Sequence, residues 1–216
     1  MIKRALPLFM LCLLAGCATT PPTKDYSRFN ASKPCSILVV PVINRSVEVT
    51  ASDYFLSTIT IPLAEKGYYV FPVNMVKRML KDDGLSDANL VHSASVEKLS
   101  SLFGADAVLY VTINNWDSRY LVLTTQVTVG MSYVIKDGKT GQTLWEHQQN
   151  MVYNPQNTRT GNPFADLAVM AISAAITKAA PNYVPLARQA NNITFSYPGP
   201  GIPPGPYALK DEGASR

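Results

Sequence analysis

Residues 121–135 read LVLTTQVTVGMSYVI. Leu121, Leu123, Thr125, Val127, Val129, Met131, Tyr133 and Ile135 alternate with Val122, Thr124, Gln126, Thr128, Gly130, Ser132 and Val134. Side chains along a strand alternate between its two faces, so this period of two predicts a long antiparallel strand with a more apolar face and a mostly polar one. The turn-forming run Lys136-Asp137-Gly138-Lys139-Thr140-Gly141 follows it, and Gln142–Tyr153, with Trp145, is expected to return as the hairpin partner. Upstream the pattern differs. Ser36–Pro41 (SILVVP) is a continuous apolar run, as in a strand buried on both faces. Ala51–Lys66 places Phe55, Leu56, Ile59 and Leu63 at helical spacing, and Gly67 is its expected stop. Pro62 predicts a kink there, or a second helix from about Ile61, because an interior proline costs about 3 kcal/mol. Tyr68–Val73 is read as a second buried strand, parallel to the first through a βαβ crossover.

Further elements complete an α/β fold. Asn74–Lys81 is a short helix with Val76, Met79 and Leu80 inward, Ser95–Phe103 a helix capped by Ser95, and Ala107–Ile113 a third buried strand. The expected architecture is a mixed sheet, a parallel βαβ half followed by an antiparallel hairpin, with helices packed on it. Asn162-Pro163 suits a helix start, and Phe164–Ala180 presents apolar residues all round, with Asp166 and Lys178 its only charges. One layer on a sheet buries only one stripe of such a helix. The other stripe calls for cover from the chain's own tail or from a second protomer. The tail Tyr197–Tyr207 (YPGPGIPPGPY) is either a disordered end or an extended arm pinned by Tyr197, Ile202 and Tyr207.

The chain begins with an address. Lys3 and Arg4 precede an apolar segment, Ala5–Gly16, which is shorter than the roughly 20 residues of a spanning helix. It ends in Leu14-Ala15-Gly16-Cys17, which resembles the lipobox of bacterial lipoproteins. The resemblance implies cleavage between Gly16 and Cys17, lipidation of Cys17 by diacylglycerol and N-acylation. Several acyl chains anchor a protein without a transmembrane helix. Ala18 follows the anchor, and in such lipoproteins the absence of Asp there favours the outer membrane, facing the periplasm. The organisation is therefore 1–16 signal peptide, 17–33 lipidated tether, 34–160 α/β domain, 161–196 C-terminal helical segment completing the domain or a dimer interface, and 197–216 Pro/Gly-rich tail.

Composition narrows the function classes. Charged residues make up 16% of the 216, against about 25% in typical soluble chains, which excludes a highly charged disordered protein. The formal charge is +4, and two of the cations leave with the signal. No Lys/Arg run exists, so nucleic acid is not an expected partner. Three cysteines build no disulfide framework. Cys12 is discarded, Cys17 is lipidated, and Cys35 is expected as a small buried residue at the head of a strand, with an intermolecular disulfide or a reactive thiol as the other readings. G-x-S-x-G, H-E-x-x-H and C-x-x-C motifs are absent from the sequence. His92 is read as a surface residue of an interhelical loop and His147 as a sheet-surface residue; Asp82, Asp83 and Asp87 are read as a solvated turn. No catalytic residue, metal or cofactor is nominated, and no enzyme is expected. The candidate partner surfaces are Asn115, Trp116 and Tyr120, in a turn expected at Asn114–Tyr120, and Leu167, Ala171 and Ala175 on the last helix.

Three segments with the lipobox carry a family resemblance: Thr60–Val73 (TIPLAEKGYYVFPV), Gly104–Tyr110 (GADAVLY), and Asp137–Gly141 (DGKTG) with Leu144-Trp145. The chain resembles a family of bacterial outer-membrane lipoproteins of unassigned function, the conserved neisserial surface-antigen type. Its fold is similar to the TolB N-terminal domain and the periplasmic part of the curli secretion lipoprotein CsgG. The resemblance implies a non-enzymatic scaffold or accessory subunit of an envelope assembly or transport complex. Its partners would be the membrane through the lipid anchor, a second copy in a homodimer, and other envelope lipoproteins, one of them CsgG-like. The alternative is a peptidoglycan- or synthase-binding regulatory module. A CsgG-like pore is excluded by Glu146–Asn150 (EHQQN), too polar on both faces for a lipid-facing strand.

Overall fold

The computed structural model describes residues 24–121, 124–154, 163–176, 182–196 and 201–209. Gly16, Cys17, the expected signal peptide and most of the expected tether lie outside them. A six-stranded mixed sheet forms the frame. Its strands are β1 (Ser36–Val39), β2 (Ile43–Asn44), β3 (Tyr69–Val70), β4 (Ala107–Leu121), β5 (Thr124–Asp137) and β6 (Thr143–Tyr153). They run in the order β3-β1-β4-β5-β6, with β2 beside β4. β1 is parallel to both β3 and β4, while β4, β5 and β6 are antiparallel. The expected parallel half and antiparallel hairpin are both present.

The helices are α1 (Ser27–Ser32), α2 (Ala51–Glu65), α3 (Val73–Asp82), α4 (Ala88–Ser93), α5 (Val96–Phe103), α6 (Pro163–Ile176) and α7 (Val184–Ser196). On one face α2 and α7 cover Ile37, Val39, Leu109, Val111, Val129, Met131 and Tyr133, all buried. Leu38, Val40 and Val108 point the other way, into a smaller core with Val76, Leu80 and Leu99. β1 is thus buried on both faces, as its unbroken apolar run requires. Helices α3, α4 and α5 supply that second core from β1 and β4, while the second face of β5 and β6 carries Gln148, Asn150 and Val152, all exposed.

Several expectations are corrected. α2 is one helix through Pro62. The proline lies in its last turn, so only one intrahelical bond is forfeited, and its ring is buried. The second strand is not buried: β3 has two residues, with Tyr69 52% exposed, and it forms the sheet edge. Met79 is 39% exposed, leaving Val76 and Leu80 as the inward residues of α3. Asn114–Tyr120 is no turn. β4 runs straight on to Leu121, absorbing Asn114 as a bulge between Ile113 and Asn115, and Leu121 pairs with Thr124. His92 lies not in a loop but in a helix, α4, whose N-cap Asp87 accepts from the backbone N–H of Asn89 (2.8 Å) and Leu90 (3.3 Å), while Asp82, Asp83 and Asp87 are exposed around the turn before it.

The tail residues 201–209 form an arm on this subunit. Tyr26 Oη donates to Gly201 O (2.6 Å) and Tyr68 Oη to Pro203 O (2.8 Å). The N–H of Gly205 donates to Lys66 O (2.7 Å) and that of Tyr207 to Gly67 O (3.0 Å). Ile202 is buried as expected, but Tyr207 is 66% exposed and is held by its backbone N–H; Tyr197 lies outside the described residues.

Candidate functional site

The α6 helix reaches the sheet by its inner stripe. Val169, Ile172 and Ile176 are buried, and Tyr153 Oη at the end of β6 donates to Val169 O (2.6 Å). The outer stripe stays open: Leu167 is 64% exposed and Met170 67%, with Ala168, Ala171 and Ala174 also exposed and Ala175 half-buried. The sequence offered two covers for this stripe. The described part of the tail lies elsewhere, on α1 and the α2–β3 turn. Two neighbouring large apolar residues left in water form the kind of patch that marks an interaction surface. The small residues Ala168 and Ala171 allow another helix to approach closely.

The first group of candidates separates. Asn115 is exposed on the open face of β4, opposite Gly130. The backbone of Tyr120 pairs with Thr125, and its side chain lies outside the described residues. Trp116 is 1% exposed, so it belongs to the core rather than to a binding surface. It packs with Tyr54 of α2 (ring centroids 6.3 Å) and with Tyr183, ahead of α7 (6.1 Å). The strand's alternation explains the placement: Trp116 follows the bulge, which moves it onto the face shared with Val129, its partner in β5.

The motifs of the family resemblance are joints of the fold. Asp106 Oδ2 accepts from the backbone N–H of Cys35 and Ser36 (3.0 Å each) and from Ser36 Oγ (2.9 Å), fastening β1 to β4. Gly138 donates to Asp106 O (2.7 Å), and a Cβ there would lie 2.7 Å from Ala105 O. Asp137 Oδ1 organises the β5–β6 turn by accepting from the N–H of Lys139 (3.0 Å) and Thr140 (2.8 Å), while its Oδ2 accepts from Ser32 Oγ (2.6 Å). These hydrogen bonds hold the Asp137 carboxyl below its usual range against the opposing effect of burial.

Both histidines differ from the expected surface residues. His92, in the last turn of α4, puts Nε2 3.0 Å from Pro41 O and meets the Tyr110 ring edge-on (5.1 Å). Burial pushes the Tyr110 hydroxyl up to about 12. His147 stacks on Trp145 (5.7 Å). Burial lowers both imidazoles below 6.5, opposed by a hydrogen bond in each case, with Lys136 near His92 and Lys24 near His147 adding to the lowering. Below the unfolded value of 6.5 the unfolded chain therefore binds protons that the folded chain refuses. Stability is expected to fall on acidification from pH 7 toward 5, and His92→Gln should flatten that slope in thermal melts. An unchanged slope would remove His92 as its source.

Cys35 is exposed, contrary to the buried role expected of it. The N–H groups of Cys35 and Ser36 bind Asp106, and β1 begins one residue later, so the thiol stays outside the core. It borders a cavity of about 560 Å³ between α1 and the arm, lined also by Phe29, Tyr68, Pro203 and Pro206. Sequence reasoning missed this hollow because it joins residues nearly the whole chain apart. Among the described residues no group of three His, Cys, Asp or Glu could hold a metal ion, and no helix is long and apolar enough to cross a membrane.

The chain is similar to several known proteins. A solved relative, the lipoprotein GNA1162 from Neisseria meningitidis, is 34% identical and superposes over 64% of this chain and 95% of its own with a TM-score of 0.55. A PelC dodecamer structure from Paraburkholderia phytofirmans (14% identity, 77% of this chain, 95% of that one, TM-score 0.44) and the LpoB C-terminal domain from Salmonella enterica (18%, 55%, 84%, TM-score 0.39) are more distant. In sequence the chain is 32% identical over 203 residues to "Putative lipoprotein NMB1124/NMB1162" of Neisseria meningitidis serogroup B, covering 94% of each. Residues 24–206 match the family model described as "Putative lipoprotein GNA1162-like". The chain belongs to the GNA1162-like lipoprotein family.

Proposed function

We propose that the protein is anchored through Cys17 to the periplasmic leaflet of the outer membrane. There it acts as a non-enzymatic scaffold or accessory subunit of an envelope assembly or transport complex. The carrying observation is the outer stripe of α6, Leu167 and Met170 beside Ala171, held outward by a helix whose other side is fixed to β6. A second copy is its first occupant, giving a homodimer. Other envelope lipoproteins, one of them CsgG-like, are the partners of the assembled form. The lipobox supports the anchor, and the family supports the lipoprotein class. The alternative, a peptidoglycan- or synthase-binding module centred on Asn115, Trp116 and Tyr120, loses one of its two aromatic residues, because Trp116 is in the core.

Cross-linking in intact cells, with mass spectrometry of the captured chains, tests this reading. Cross-links between copies at α6 are expected in the wild type. Leu167→Glu with Met170→Glu puts two carboxylates into the contact and should abolish them, while the exposed sites leave the domain folded. Equal capture by wild type and variant would remove α6 from the interface.

A further inference from the structure

The two edges of the sheet are treated differently. The β3 edge is two residues long, is followed by Pro72, and the arm is bonded to the turn before it. Short strands and prolines are the usual devices that keep a sheet edge from pairing with another chain. β6, at the opposite edge, has eleven residues and no proline, and its only formal charge is Glu146. Among the described residues it pairs on one side alone, with β5.

The phase of the free backbone groups can be fixed. Lys24 Nζ donates to Glu146 O, so that carbonyl points away from β5. In an antiparallel ladder residues alternate between bonding inward and outward. Gln148, Asn150 and Val152 share the phase of Glu146, and therefore direct their N–H and C=O groups to the open edge. All three side chains are exposed as well. Lys24 occupies Glu146, which leaves a three-residue template centred on Asn150.

We propose that β6 pairs antiparallel with β6 of a second copy, with Asn150 facing Asn150 across a two-fold axis. Gln148 then bonds Val152 of the other copy, and Lys24 keeps Glu146. The strand is self-complementary in this register. No like charges oppose each other, because Glu146 lies outside the paired segment. On the other face Gln149 meets Met151, both half-buried in the single chain. An isologous contact of this kind is the usual form of a two-fold interface. It is separate from the α6 contact, and two different two-fold contacts on one chain build assemblies larger than a dimer.

The test is disulfide trapping of the full-length lipidated chain in its own envelope. Cys35→Ser removes the one free thiol that the mature domain carries, and Asn150→Cys is then added. Residues directly opposed in a bonded antiparallel pair have Cα atoms roughly 5.5 Å apart, within the range a disulfide spans. Mild oxidation should convert most of the chain to a covalent dimer that a reductant reverses. Asn115→Cys, exposed on the same face but on β4, should stay monomeric. The Asn150 dimer should persist with Leu167→Glu and Met170→Glu present, which separates this contact from the α6 reading. A monomeric Asn150→Cys chain, equal dimer from Asn115→Cys, or an adduct with another protein in place of the dimer would each overturn the proposal.

Discussion

Trp116→Ala is expected to lower the folding stability by about 3–5 kcal/mol, the range for emptying a buried aromatic site. Against typical stabilities of about 5–15 kcal/mol this leaves a marginal domain. The indole is 1% exposed and is held between Tyr54 and Tyr183, which themselves meet with ring centroids 5.7 Å apart. Removing it takes the contact surface from α2, β4 and the segment leading into α7 together. Trp116→Phe should cost less, because the ring contacts survive and the indole N–H, which has no acceptor among the described residues, is removed. Denaturant unfolding of the three proteins checks this order. A Trp116→Ala protein as stable as wild type would mean that the tryptophan is not in the core.

Gly67→Ala is the second large effect. Gly67 has φ +86°, where a Cβ costs roughly 1–2 kcal/mol. The added atom would also lie 2.0 Å from Ala208 N and 2.5 Å from Ala208 Cα, so the arm must leave its seat. Gly104, the αL residue that ends α5, is the matched control: its φ is +69° and no heavy atom lies within 4 Å of its would-be Cβ. Gly67→Ala should therefore be clearly more damaging than Gly104→Ala. In a chain truncated before residue 201 the two substitutions should cost nearly the same. Such a double-mutant cycle isolates the coupling between Gly67 and the arm. Equal costs in the intact chain would show that the arm does not rest on Gly67.

The sheet was legible where burial writes a local pattern. The unbroken run Ser36–Pro41 marks a strand covered on both faces, and the alternation over Leu121–Ile135 marks a strand with one apolar face, although that strand starts only at Thr124 and Leu121 ends β4. The misreadings share a physical cause: each residue's role is set by a distant partner. Asn114–Tyr120 is polar enough for a turn, but a single bulge carries β4 through it and swings Trp116 into the core. Cys35 and Ser36 answer to Asp106, about seventy residues away, and no spacing rule connects them. β3 looks apolar enough for burial, yet its edge position comes from the strand order. The all-round apolar character of Phe164–Ala180 calls for two covers; the single chain covers the stripe of Val169, Ile172 and Ile176 and leaves Leu167 and Met170 exposed. The second half of the 161–196 segment, α7, was not recognised as a helix of its own. Its buried Asn191, which donates to Thr58 Oγ1 (2.9 Å), interrupts the apolar stripe that would have marked it.

Asp106, Gly138 and Gly67 show how the segments of the family resemblance serve the fold. They join α1, β1, the β5–β6 turn and the arm around one end of the sheet. The two proposed interaction surfaces, α6 and the β6 edge, belong to the later part of the chain.

The proposed cover of the outer stripe of α6 in the working protein is another copy of the chain. The mass of the purified mature chain in detergent, corrected for bound lipid and detergent, tests it most directly. A dimer or larger species at micromolar concentration, reduced in size by Leu167→Glu with Met170→Glu, is the predicted result. A wild-type chain that stays monomeric at that concentration would contradict it.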